Sequence, residues 1–161
     1  MQSQILRLVN YPTMIIILLS YFIHLILLFL LQMILPIYEQ FFGVIGGADF
    51  QESSLLVEFI TIGILGPIIE SILSQLIPIY LLSLIKKLPL WSIILISAVG
   101  FALMHNYSWL YIVYSFFIGI LYATTFLICK IKRGYSLAFR SVCLIHSLYN
   151  ITVFSFDQIF N

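Results

Sequence analysis

The chain is short of charge. Aspartate, glutamate, lysine and arginine make up 8% of its 161 residues, against 63% hydrophobic residues and a mean hydropathy of +1.16. Soluble domains carry about 25% charged residues, and a fold of this size cannot hide so much apolar surface from water. The shortage excludes a soluble globular domain and points to a chain that lives in lipid. No run of bases is interleaved with aromatics, which removes nucleic-acid binding from the candidate functions. Cysteine is scarce as well. Cys129 and Cys143 stand apart in apolar stretches, form no metal or redox motif, and read as small buried hydrophobes. There is no His-Glu-x-x-His helix, no internal repeat and no low-complexity linker.

What the chain does have is long apolar runs. Thr13 to Leu35 is enough to cross a hydrocarbon core of about 30 Å, and Pro36 is expected to close it. The run exceeds a signal-peptide core and lacks a small-residue cleavage site, so it reads as a retained span. A loop over 36–54 follows, with Glu39, Asp49, Glu52 and the glycines Gly43, Gly46 and Gly47. The next run, Leu55 to Ile85, contains Gly66-Pro67, where the missing proline N–H predicts a kink or a fresh helix start. Beyond the turn Lys86-Lys87-Leu88-Pro89, a third span runs from about Trp91 to His105. The very short turn Asn106-Tyr107-Ser108 makes spans three and four antiparallel neighbours. Span four runs from Trp109 to Cys129, and span five from Leu137 to Phe156.

The expected fold is all-α, a polytopic membrane helical bundle of about five transmembrane helices. Residues 1–54 form an N-terminal transmembrane helix with an acidic external loop, and 55–161 a helical core. With the N-terminus cytoplasmic, Arg7, Lys86, Lys87, Lys130, Lys132, Arg133 and Arg140 all fall on the cytoplasmic side, as the positive-inside rule prefers. Glu39, Asp49, Glu52, Glu58, Asp157 and the C-terminus then lie outside. Isoleucine-rich spans and small size point to a bacterial cytoplasmic membrane.

Few polar groups remain at depth: Glu70, Ser71, Ser74 and Gln75 on span two, His105 at the end of span three, and His146 and Asn150 on span five. An ionised carboxylate in lipid is costly and marks a functional position by default. Glu70 falls in the first turn after the Gly66-Pro67 break, where helix amides favour negative charge. His146 and Asn150 are one helical turn apart, as are Phe101 and His105, so each pair shares a face. His24 in the first span reads as a neutral, hydrogen-bonded histidine facing a neighbouring helix. Interhelical packing accounts for Ser71, Ser74 and Gln75 as readily as function does. It does not account for an acid, two imidazoles and an amide arriving from three spans.

Such a set is a minimal kit for amide hydrolysis. A carboxylate beside an imidazole can deprotonate a water, while a second imidazole and an amide can stabilise an oxyanion. Alternatively Glu70, His105 and His146 can hold Zn²⁺, since three N/O ligands plus water is a catalytic zinc pattern.

At these residues the chain resembles the CPBP (CAAX protease and bacteriocin-processing, or Abi) family of intramembrane glutamic endopeptidases. The family's three motifs stand here in order as Glu70-Ser-Ile-Leu-Ser-Gln75, Phe101-Ala-Leu-Met-His105 and His146-Ser-Leu-Tyr-Asn150. The resemblance covers about residues 58–156. It implies a membrane protease without a cofactor, in which Glu70 and His105 activate water and His146 and Asn150 hold the oxyanion. Peptide or protein substrates at the membrane are implied as partners, with the lipid bilayer. The first motif departs from the family pattern, since Ser71 replaces a second glutamate and Gln75 an arginine. A neutral Ser71–Gln75 pair is expected where an ion pair would otherwise sit. Two other readings stay open: an inactive relative that binds and modulates a partner, and a small proton-coupled transporter using Glu70.

Overall fold

Proline and glycine divide the apolar sequence into helices whose ends alternate between two faces of the molecule. The computed structural model describes residues 5, 7–47 and 54–160. Five long helical stretches fill it: α1 (Thr13–Phe42), α2 (Leu55–Ser83), α3 (Leu90–Met104), α4 (Trp109–Arg133) and α5 (Tyr135–Phe160). No strand occurs among the described residues. Four helices, α1, α2, α4 and α5, are long and apolar enough to cross a membrane. The chain is a multi-pass helical membrane protein. At 15 residues α3 is the short one, and at 1.5 Å per residue it rises only about 22 Å. Its shortness sets His105 at the end of a helix rather than along one.

Local chemistry sets the ends. Ser54 and Ser108 cap α2 and α4 by accepting from the Val57 and Tyr111 N–H groups. Gly134, at φ +84°, turns the chain sharply out of α4 into α5. Pro36 does not close α1, contrary to the sequence expectation; the helix runs through it to Phe42. Packing overrides the lost N–H there. Tyr38 is buried with Leu31 and Leu110, and its ring meets that of Trp109 at 5.2 Å. Asp49 and Glu52 of the expected acidic loop lie outside the described residues.

The irregularity expected in the second span takes the form of two π turns, Thr61–Leu65 and Ile72–Leu76. Each ends just before a proline, Pro67 and Pro78. Only the first was apparent in the sequence. Widened turns of this kind gather at functional sites, and Glu70 lies between the two.

The ends of the helices sort into two faces. At one, Lys130 Nζ donates to Ser83 Oγ at 2.7 Å and Lys132 Nζ to the carbonyls of Val9 and Tyr11, gathering the start of α1 and the ends of α2 and α4. At the other, Phe42 meets Trp109 at 5.5 Å and Phe59 meets Phe154 at 5.9 Å, gathering the end of α1, the starts of α2 and α4, and the end of α5. Between them lies a closed core that includes Ile79, Ala98, Tyr122, Phe126 and Val142. Helices α3 and α4 approach closely at Gly119, where a Cβ would stand 2.8 Å from Ala98 Cα. Polar contacts tie α1 to the rest: Ser20 to Thr125 at 2.7 Å and Tyr21 to Thr152 at 2.8 Å.

Candidate active site

Glu70 projects from the α2 segment between the π turns toward two imidazoles on two other helices. Its Oε2 lies 3.3 Å from His105 Nε2 and 3.7 Å from His146 Nε2. Oε2 itself is enclosed, while the Glu70 side chain as a whole keeps 25% of its surface exposed. A water can therefore reach the carboxyl from one side only.

The hydrogen bonding of His105 fixes where its protons are. Nδ1 sits 2.9 Å from the Phe101 carbonyl oxygen, which can only accept, so Nδ1 carries a proton. In a neutral ring Nε2 would then present a lone pair to a carboxylate oxygen. Two acceptors at that separation repel unless one proton lies between them. Glu70 Oε2 makes no hydrogen bond in the structure, and at 3.3 Å from Nε2 it stands where a proton placed between the two would link them. The Phe101 ring supports the arrangement, 4.4 Å from His105 and 5.7 Å edge-on from His146.

Asn150, one turn beyond His146, donates from Nδ2 to the Ile62 carbonyl at 2.9 Å. A side-chain amide has two N–H hydrogens, so one remains after that bond is made. The four side chains border a cavity of about 390 Å³ whose further lining includes Thr61, Gly66, Tyr111, Tyr149, Phe154 and Asp157. Among the described residues, no group of three or more His, Cys, Asp or Glu side chains has the arrangement to hold a metal ion.

A family model described as type II CAAX prenyl endopeptidase Rce1-like matches residues 52–152. The chain belongs to the Rce1-like family. Neither a curated protein nor a solved structure matches it significantly. The Rce1-like region takes in Glu70, His105, His146 and Asn150, and it leaves out α1. The protein is accordingly a CAAX-protease-like membrane endopeptidase at the level of its family.

The expected pairing of Ser71 with Gln75 in this Rce1-like chain is not formed. Both side chains are buried, and Ser71 Oγ, Gln75 Oε1 and Gln75 Nε2 all lack a hydrogen-bond partner. The π turn Ile72–Leu76 intervenes, and an extra residue per turn breaks the register that stacks i on i+4. Ser74 instead returns its hydroxyl to the Glu70 carbonyl.

His24 lies where the sequence put it, buried against a neighbouring helix, with Nδ1 3.0 Å from Tyr122 Oη and its ring stacked on Tyr149 at 3.4 Å. It also lines the cavity. Sequence reasoning missed the tyrosines there. Tyr111 stacks parallel to His105 at 5.9 Å, and Tyr114 and Tyr149 join hydroxyls at 2.8 Å. Their helical spacing was a usable signal: Tyr111 and Tyr114 share one face of α4, and Tyr149 lies three residues from His146.

Proposed function

We propose that the chain is an intramembrane endopeptidase that hydrolyses peptide bonds with a water activated by Glu70 and His105. The observation that carries this reading is the approach of one carboxyl oxygen to two imidazoles, at 3.3 and 3.7 Å, beside a cavity in a membrane bundle. A water in the cavity gives a proton to the Glu70–His105 pair as its oxygen attacks the carbonyl carbon of the substrate. The carbonyl π electrons move to oxygen, and the oxyanion is stabilised by N–H donation from His146 and from the second hydrogen of Asn150. Collapse re-forms the carbonyl and breaks the C–N bond, and the proton taken from the water passes from the pair to the leaving amine. The products are a carboxylic acid and an amine, and the pair returns to its starting state.

The scheme invokes no metal, and its partners are a peptide or protein at the membrane and the surrounding lipid. It is tested by incubating the purified protein in detergent with a peptide library, with and without chelator, beside Glu70→Gln. Cleavage that survives the chelator and vanishes in the variant is the expected result. Cleavage lost with chelator and restored by Zn²⁺ would move Glu70, His105 and His146 into ligand roles. Full cleavage by Glu70→Gln would overturn the reading. No cleavage by the wild-type protein of any member would favour an inactive, partner-binding relative, in keeping with the unpartnered Ser71 and Gln75.

A further inference from the structure

The cavity and the bases lie at opposite ends of the bundle. All seven lysines and arginines of the sequence, Arg7, Lys86, Lys87, Lys130, Lys132, Arg133 and Arg140, belong to the segments that meet at the first face. Arg7 precedes α1, Lys86 and Lys87 form the α2–α3 turn, and the other four flank the α4–α5 turn. The second face carries Glu39, Glu58 and Asp157 and no lysine or arginine.

The cavity is built from the second face inward. Tyr107, in the α3–α4 turn, and Phe154 and Asp157, near the end of α5, line it; so do Thr61 and Ile62, near the start of α2. The lining reaches inward as far as Glu70, Phe101 and His146, and no residue of 76–100 or 119–145 contributes to the wall. Between these residues and the basic face the core is closed by Ile79, Ala98, Phe126 and Val142, each with no exposed surface. No lysine or arginine belongs to the wall.

An excess of lysine and arginine in short loops sets the orientation of membrane helices, with the basic side toward the cytoplasm. A seven-to-none division is as one-sided as that rule allows. We propose that the cavity opens on the non-cytoplasmic face of the membrane and takes its substrate from there: a peptide segment exposed outside, neutral or cationic around the cleaved bond. The charge preference follows from the acids at this face, which repel an anionic segment and favour a basic one. A substrate that presents its scissile bond only on the cytoplasmic side would find the basic face and the closed core. What happens in the cavity rests on the endopeptidase reading; the side of access does not.

The test separates the two. Single cysteines are placed at Asn106, beside the cavity, and at Lys86, at the basic face, in a background carrying Cys129→Ala and Cys143→Ala. Right-side-out and inverted membrane vesicles are then treated with a membrane-impermeant maleimide. The expected result is labelling of Asn106→Cys in right-side-out vesicles alone and of Lys86→Cys in inverted vesicles alone. The reverse pattern overturns the proposal. A second arm uses a membrane-anchored reporter whose cleavable segment, taken from the peptide library, faces either outside or the cytoplasm in cells with the otherwise wild-type protein. Cleavage of the outward reporter, absent with Glu70→Gln, supports it; cleavage of the inward reporter alone overturns it. The expected labelling with no Glu70-dependent cleavage of either reporter overturns the endopeptidase reading and leaves the side of access established.

Discussion

Asn150 donates to a carbonyl of α2 left open at the Gly66-Pro67 break, that of Ile62, at 2.9 Å. The Gly66 N–H, four residues on from Ile62, is spent on the Thr61 carbonyl in the π turn. The next residue, Pro67, has no N–H. Ile62 O is thus left without a helical donor, and an amide from α5 takes the place. The next break also leaves a carbonyl to an outside donor, one residue nearer its proline. Ser74 loses its donor four residues on because that residue is Pro78, and Ser97 of α3 bonds to its carbonyl. Membrane helices tolerate proline where neighbours satisfy the freed groups in this way.

The break therefore stabilises the bundle only while its outside donors are present. Asn150→Ala is expected to lower stability in detergent by about 1–3 kcal/mol, the cost of an unsatisfied buried carbonyl. Pro67→Ala restores an N–H at the break, so the penalty of Asn150→Ala should shrink in that background. Thermal unfolding of the four proteins of this cycle checks it. An undiminished penalty would mean that Asn150 contributes through something other than Ile62.

The approach of Glu70 to His105 leads to a second prediction. Glu70→Gln replaces the proton-holding oxygen with a group that cannot take a proton, and His105→Ala removes its partner. Each should reduce cleavage by about 10²–10⁴-fold, the usual reach of acid–base catalysis, with the protein still inserted in the membrane. His105→Gln tests the geometry further, since an amide can fill the space without carrying the charge of an imidazolium. Measuring kcat with membrane insertion scored in parallel decides the matter; activity within a few fold of wild type in His105→Gln would remove the proton from the argument.

Glu70, His105, His146 and Asn150 were legible in the sequence because hydrocarbon is a severe background. A carboxylate, two imidazoles and an amide in three apolar runs stand out, and the one-turn spacings gave their faces. Three things were not legible. Whether Pro36 ends α1 depended on Tyr38 finding Leu110 and Trp109 on another helix, which no local pattern carries. The second π turn at Pro78 was hidden because proline in an apolar run announces a lost bond but not the widened turn beside it. Tyr111, Tyr114 and Tyr149 were passed over because tyrosines also belong at the lipid interface, and only the packing of α4 against α5 separates the two uses.

A third prediction concerns the close approach of α3 and α4. A methyl at Gly119 would meet Ala98 backbone at 2.8 and 3.0 Å, and no flexible side chain can move aside to relieve it. Gly119→Ala should destabilise the protein by about 1–3 kcal/mol through overpacking. Displacement of α3 also shifts His105 relative to Glu70, so cleavage should fall further than stability accounts for. Unfolding temperature and kcat measured on the same preparation test both parts, and an unchanged unfolding temperature would show that the helices separate there at no cost.

The last prediction separates packing from chemistry at His24. Its Nδ1 is within hydrogen-bond distance of Tyr122 Oη, at 3.0 Å, and its ring lies nearly parallel to that of Tyr149, 3.4 Å away. Tyr122 is fully buried. His24→Phe keeps a ring for Tyr149 and orphans the Tyr122 hydroxyl, at a cost of about 1–3 kcal/mol. His24→Ala loses the stack as well and opens a cavity beside α5, so it should be the less stable of the two. Because Tyr149 adjoins Asn150 and lies one turn from His146, slack there loosens the face that lines the cavity. Cleavage is expected to decline in step with stability across wild type, His24→Phe and His24→Ala, and to recover for His24→Phe when the assay is cooled. A folded His24→Phe as inactive as Glu70→Gln would instead make the first-span imidazole a participant in proton transfer.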